Sequence, residues 1–305
     1  MGMRGAGATL HVSTSDVSTL ARPTSHVARP TLRLLPMPRF KLLIEYAGTK
    51  YSGWQIQKNA RTVQGEIGRA VREATKRGEF ELYGSGRTDA GVHALAQVAH
   101  LEIYTDLAPE VLRRRVNDEL PADIHIRTIV KAPHKFHARH DAIERSYLYQ
   151  IATRRTAFGK PFVWWIREPL SVDAMREAAG VFVGMQNFEA LTADDPDEKS
   201  TTVLVDAVDV EEHGALILIR VRGSHFLWKM VRRMVGVLAA VGRREIPPRD
   251  AADFLDPTRM ADARATAAAL AAPAAGLFLE AVRYKGDQAI GRMRPVMNID
   301  ADRGP

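Results

Sequence analysis

The chain has 305 residues and carries 43 lysines and arginines against 36 aspartates and glutamates, a formal net charge of +7. It contains no cysteine, which excludes disulfides, thiolate nucleophiles and cysteine-ligated zinc. The length suffices for one large or two medium cores, and the positive excess suits a polyanionic partner, because phosphate contacts gain affinity from released counterions.

Residues 1–37 carry Arg4, Arg22, Arg29 and Arg33 against one acid, Asp16, amid Ser, Thr, Pro and Gly without periodicity. Such a segment cannot bury enough apolar surface to order itself, so a disordered extension is expected, or a start nearer Met37. An organelle transit segment has a similar composition. Arg39 to Tyr46 then reads as a buried strand. Val63, Ile67, Ala70, Val71 and Ala74 recur at helical spacing with Arg69, Arg72, Glu73 and Lys76 on the wet side, and Gly78 stops that helix. Phe80 to Tyr83 and the alternating Ala96 to Ile103 are expected as strands gripping a glycine-rich loop. A short helix from Pro109 to Asn117 and a strand from Asp123 to Val130 close a first half.

The second half repeats the theme. Strands are expected at Ser146 to Ile151 and Phe162 to Ile166, followed by a helix capped by Ser171 that turns Met175, Ala178, Ala179 and Phe182 inward. Val203 to Val210 and Ala215 to Val221 pair through a turn at Glu211 to Gly214. A long helix from Phe226 to Val241 buries Leu227, Met230, Val231, Met234, Val235 and Leu238, leaving Trp228, Lys229, Arg232 and Arg233 off that stripe. The alanine-rich stretch from Thr266 to Leu279 is too short to span a bilayer and is broken by Pro273 and Gly276, so a soluble, cytoplasmic protein is expected. The pattern implies an α+β fold in two halves, 38–143 and 144–287, each a sheet with helices on one face, and a tail over 288–305.

The loop Gly84-Ser85-Gly86-Arg87-Thr88-Asp89-Ala90-Gly91 carries the densest chemical signal: three glycines within eight positions, one carboxylate, and an arginine two residues before it. Glycines let the backbone bend sharply and approach a ligand, and flanking strands would hold Asp89 still, although ordinary turns use the same residues. The loop lacks the Gly-Lys-Ser/Thr ending of a nucleotide-binding loop, and the chain has no Gly-x-Ser-x-Gly elbow. His134, His137 and His140, spaced by three with Asp141 adjacent, invite a metal reading. Pro133 lies just before them and no His-Glu-x-x-His pattern occurs, so no metal is expected.

Gly86-Arg87-Thr88-Asp89-Ala90-Gly91-Val92-His93-Ala94 resembles the signature loop of the TruA family of tRNA pseudouridine synthases. The resemblance extends in order through Phe40 to Tyr46, Gly48 to Gln55, Asn117 with Leu120-Pro121, and Phe136 to Arg139. It continues through Arg145 with Tyr147 and Tyr149, Phe226 to Arg232 with Gly236, and Gly276-Leu277. It implies two ferredoxin-like (RRM-like) halves whose sheets join into one continuous, mainly antiparallel sheet with a central cleft. The implied activity is isomerisation of uridine to pseudouridine on tRNA, without cofactor or metal, by a homodimer that targets uridines 38 to 40 of the anticodon stem-loop. Asp89 would be the catalytic aspartate, with Arg87 pairing with it or supporting the flipped nucleotide. Tyr147 would pack on the uracil, with Tyr149 a rival on the same strand face, and Arg232 would pair with Asp89. Phe136, His137, Ala138, Arg139 and His140 would touch tRNA. The family's Ser-Arg-Thr segment is replaced by Lys199-Ser200-Thr201, where Lys199 and Ser200 would stand in. Ser146 and His140 also depart from the usual pattern, and these three sites bear on how RNA is held rather than on the reaction.

Overall fold

Alternation builds the framework. In β1 (Arg39–Tyr46), Phe40, Leu42, Ile44 and Tyr46 are buried while the residues between them are half-buried or exposed, the period of a strand with one face on a core. The computed structural model describes residues 37–194 and 200–300; the rest of the expected N-terminal extension, Lys199 and the end of the tail lie outside the described residues. After β1 come α1 (Val63–Thr75), β2 (Glu81–Gly84), β3 (His93–Glu102), α2 (Pro109–Glu119) and β4 (Ile124–Ala132). The second half holds β5 (Ala142–Ala152), β6 (Trp164–Trp165), α3 (Val172–Val181), β7 (Gly184–Asn187) and β8 (Thr202–His213). It ends with β9 (Leu216–Gly223), α4 (Met230–Gly242), α5 (Met260–Ala269) and β10 (Leu277–Tyr284).

Among the described residues ten strands form one sheet in the order β4-β1-β3-β10-β5-β9-β8-β7, with β2 on β3 and β6 on β5. Pairing is antiparallel except for β10 with β3 and β6 with β5. This is the continuous, mainly antiparallel α+β sheet that the sequence implied. β10 lies between β3 and β5: it runs beside β5 from Leu277 opposite Tyr149 to Tyr284 opposite Ala142, yet meets β3 only at Phe278–His93 and Leu279–Ala94. The same edge of β3 is taken further along by β2, Gly84 opposite Ala99. The loop carrying Asp89 emerges in the gap between β2 and β10.

Side chains of β5 sort the two faces. Tyr147, Tyr149 and Ile151 pack with residues of α3, α4 and α5, whereas Leu148 and Ala152 pack with Met293 and Ile299 of the C-terminal segment. In the first half Ile67, Val71, Leu112 and Val116 cover β1 and β3 in the same manner. Helices therefore occupy one face, and the segment after β10 lies on the other, tied by Ala215 N–H to Ile299 O at 2.9 Å. Among the described residues no helix is long and apolar enough to cross a membrane.

Several local expectations are corrected. α1 is capped by Thr62 but ends at Lys76, which adopts the left-handed conformation at φ 54° two residues before Gly78. α4 begins at Met230 rather than Phe226, because Lys229 is also left-handed, φ 61°, and cannot continue a helix backwards. Only Trp164–Trp165 of the expected Phe162 to Ile166 strand pairs. The Thr266 to Leu279 stretch is two elements, the end of α5 and the start of β10, separated at Pro273; β7, α5 and β10 had not been anticipated. Arg233 is buried rather than off the stripe, donating to Ala190 O at 3.2 Å and to Thr192 O. Ser146 is fully buried and donates to Glu280 Oε2 at 2.7 Å, so its departure from the family pattern concerns the fold.

Candidate active site

The loop between β2 and β3 is clamped along its length. Ser85 donates its N–H to Val98 O at 2.7 Å and its hydroxyl to Gln97 Oε1 at 2.7 Å. The fully buried Gln97 returns a bond to Gly86 O at 3.1 Å. Thr88 shares a 2.8 Å hydrogen bond with the Tyr46 hydroxyl, and its carbonyl accepts the Trp54 N–H at 3.1 Å. Below the loop, His93 Nδ1 accepts the Gly48 N–H at 3.0 Å, so its Nε2 carries the proton and donates to Pro161 O at 3.0 Å. Burial holds His93 down at about 4, neutral at physiological pH. A loop so tied holds Asp89 on a stiff base, the condition for a positioned reactive group.

Gly53 makes the clamp possible. Its φ is +94°, and a Cβ there would lie 2.5 Å from Thr88 O. Gly53→Ala is expected to displace the loop, lowering turnover about a hundredfold and stability by about 1–3 kcal/mol, read by single-turnover kinetics and thermal melting.

The second half supplies cations and rings. Arg232, in the first turn of α4, brings Nη1 to 3.6 Å from Asp89 Oδ2. Its Nε donates to Ala272 O at 2.7 Å, and Ala272 returns its N–H to Arg232 O at 3.0 Å. A turn later, α4 approaches Leu270 so closely that a Cβ on Gly236 would lie 2.0 Å from its carbonyl oxygen. Burial raises the Asp89 pKa, opposed by the charges of Arg232 and Lys229 and by hydrogen bonding from Arg232 and the Trp228 side chain. Burial thus disfavours the charged form of this carboxylate, and the two cations offset part of that cost.

Tyr147 meets Phe226 edge-on with ring centroids 5.2 Å apart, and burial, with the nearby Asp89 charge, pushes its phenol well above the usual range. Tyr149 is fully buried and donates its hydroxyl to Pro273 O at 2.8 Å, so it belongs to the core. Arg145 reaches four backbone carbonyls: Ala142 at 3.0 Å, Ser224 at 2.6 Å, Ser85 at 3.2 Å and Arg139 at 2.7 Å. It thereby ties the Asp89 loop to the segments after β4 and β9. Asp89, Arg145, Tyr147, Trp228, Lys229 and Arg232 line one cleft of about 1000 Å³, and Tyr149 does not.

A family model described as tRNA pseudouridine synthase matches residues 42–141 and 178–285. The tRNA pseudouridine synthase A of Pseudothermotoga lettingae is 37% identical over 251 residues, covering 81% of this chain and 100% of that protein. That of Rhodopseudomonas palustris is 41% identical over 254 residues, with 81% and 100% covered. The chain belongs to the tRNA pseudouridine synthase family. It is thus an isomerase of the tRNA-processing class. A solved structure, "Crystal Structure of a Cbf5-Nop10-Gar1 Complex", aligns more loosely: 13% identity, TM-score 0.27, covering 65% of this chain and 54% of that one.

Of the residues that the sequence nominates in this synthase, Asp89, Arg87, Arg139, Tyr147, Ser200 and Arg232 line the cleft. Arg87 is exposed there, and the cations shaping the charge on Asp89 are Arg232 and Lys229 instead. Phe136 and Ala138 serve the fold. Phe136 packs on Tyr284 at 5.2 Å, and Ala138 donates its N–H to His100 Nδ1 at 3.1 Å. His137 Nδ1 accepts the N–H groups of Arg139 and His140 at 3.1 and 3.2 Å, shaping the turn that carries Arg139 to the cleft. Among the described residues no three His, Cys, Asp or Glu side chains gather as a metal set.

Sequence reading assigned no role to Arg145, Lys229 or Trp228. Arg145 was visible in the sequence only as the arginine two residues before Tyr147. Lys229 and Trp228 were hidden by extending the helix four residues too far.

Proposed function

We propose that this synthase converts uridine to pseudouridine in the anticodon stem-loop of tRNA, at positions 38 to 40, using Asp89 on a base flipped into the cleft. The observation that carries the reading is the Asp89–Arg232 pair: a carboxylate from the loop before β3 faces a guanidinium from α4, with Tyr147 in the same cleft. In the reaction the N1–C1′ bond breaks, the uracil turns, and C5 bonds to C1′; the C5 proton leaves and N1 gains one, so no redox partner is required. Attack of Asp89 at C1′, attack at C6, and proton removal on a glycal route all need the carboxylate ionised, and Arg232 and Lys229 favour that form. Tyr147 packs on the extruded ring, as aromatic side chains do for unstacked bases. Arg87, Arg139 and Ser200 contact RNA from the cleft lining, and Lys199, next to Ser200 in the sequence, adds a positive charge.

The active unit divides into the halves 38–143 and 144–287, with the tail behind the sheet, and neither half carries the whole site. The protein acts as a cytoplasmic homodimer, as the TruA resemblance implies. Incubating the protein with unmodified tRNAs and mapping pseudouridine by chemical labelling tests activity and position together. Product at 38 to 40 is expected; product confined to other positions would remove the anticodon assignment.

A further inference from the structure

Trp228 stands in the cleft lining with its side chain half exposed, at 50%. That is an unusual setting for the residue with the most apolar surface to bury. Its backbone is pinned on both sides. The N–H donates to Asp194 Oδ2 at 2.9 Å, and the carbonyl accepts from Ala193 N–H at 3.0 Å and from Thr192 Oγ1 at 3.2 Å. The next residue, Lys229, is held at φ 61° and sets its ammonium 4.8 Å from the centroid of the Trp228 ring. Non-glycine residues persist in that conformation only where their surroundings impose it. The exposure is therefore built into the fold.

We propose that Trp228 is the stacking surface for the base adjacent to the target uridine, and so helps set which uridines are accepted. The inference rests on the reading of Asp89 as acting on an extruded base. When one base leaves a stack, its neighbour loses a partner, and a large, half-exposed aromatic ring in the cleft lining can replace it. Tyr147, closed in by Phe226 beside Asp89, is the ring for the target; Trp228 is the one still open to solvent. Lys229 sits over one face of the indole and the indole N–H is turned to Asp89, which leaves the opposite ring face to meet a base. Lys229, Arg87 and Arg139, all in the same lining, supply cations for the flanking phosphates. Purines offer more stacking area than pyrimidines, so a purine neighbour is favoured.

The test is a thermodynamic cycle with the full chain and three anticodon stem-loop RNAs: intact, abasic on the 5′ side of the target, and abasic on its 3′ side. On intact RNA, Trp228→Ala is expected to lower kcat/KM by about tenfold to a hundredfold, mostly through KM. Trp228→Phe, which keeps a ring but loses the indole N–H directed at Asp89, should recover most of the KM loss, and Trp228→Leu, equally unable to donate that bond and without a π face, should not. On one of the abasic RNAs the wild type should drop to the level of Trp228→Ala, which loses nothing further. The thermal midpoint of Trp228→Phe should match the wild type, since the backbone bonds remain. An equal Trp228→Ala penalty on all three RNAs, or equal activity of Phe and Leu variants, would overturn the proposal. A wild type that makes no pseudouridine sinks both readings, whereas an active wild type without coupling sinks only this one.

Discussion

An Asp89→Asn variant is expected to lose pseudouridine formation by about 10⁴-fold or more, the scale seen when a group that reacts covalently is removed. It should nevertheless bind tRNA within a few-fold of the wild type. It should also melt no earlier than the wild type at neutral pH, and somewhat later. The reason lies in the sign of the Asp89 shift. Burial raises its pKa in the folded protein above the ordinary carboxylate value, so the native state holds that proton more tightly than the unfolded chain does. Stability is then greatest below the unfolded pKa and falls as pH rises through the folded one, and at neutral pH the ionised group is a net burden on the fold. An amide of the same shape removes that burden, while Arg232 keeps its bond to Ala272 O. Melting curves at acid and neutral pH check this, because the advantage of the variant should disappear where the wild-type carboxylate is itself protonated. A variant that retains product, or that melts early only at neutral pH, would mean that Asp89 is a structural ion-pair partner.

Several residues nominated from the sequence come together in one cleft, but the contacts that place them there could not be read from it. Asp89, Tyr147 and Arg232 were legible because the resemblance is anchored on short, specific words around each of them. The strands flanking the loop, β2 and β3, were legible because Phe80 to Tyr83 is a short apolar run and Ala96 to Ile103 alternates. β10 was not, although it is the strand that links β3 to β5 in the sheet. Its apolar residues follow an alanine-rich helix, and hydropathy alone runs the two together across Pro273. Tertiary pairing with β5 and β3 decides that segment's conformation. The same limit applies to α4. A helical period can be extended through Trp228 and Lys229 on paper, but Asp194 and Thr192 bind the Trp228 backbone and hold it out of the helix. Arg233 shows a third kind of miss. A charge among apolar residues reads as surface until the carbonyls of Ala190 and Thr192, some forty residues away, are seen to receive it. The nomination of Phe136 to His140 as one RNA-facing unit fails to separate roles for a related reason. A tight turn sends Arg139 to the cleft while Phe136 and Ala138 pack inward, and no periodicity marks that reversal.

Arg232→Gln is expected to reduce turnover by about a hundredfold to a thousandfold and to move the acid limb of the pH–rate profile upward. The guanidinium is the largest influence lowering the Asp89 pKa against the effect of burial. Without it the carboxylate protonates at higher pH, so less of the reactive form is present at any pH on that limb. Part of the lost rate should therefore return as pH is raised, which a purely steric defect would not allow. Lys229 still opposes protonation, so the carboxylate is not stranded without a cation. Arg232→Lys separates charge from geometry. An ammonium restores the positive charge, but one nitrogen cannot bond Ala272 O as Nε does and also stand where Nη1 faces Asp89. Its acid limb should lie near that of the wild type while its turnover stays reduced. The measurement is kcat/KM against pH for the three proteins on one tRNA, with thermal midpoints recorded alongside. If the Gln variant slows without any movement of the acid limb, or the limb moves downward, then Arg232 acts on something other than the ionisation of Asp89, and the pairing across the cleft is not what sets the reactivity of the carboxylate.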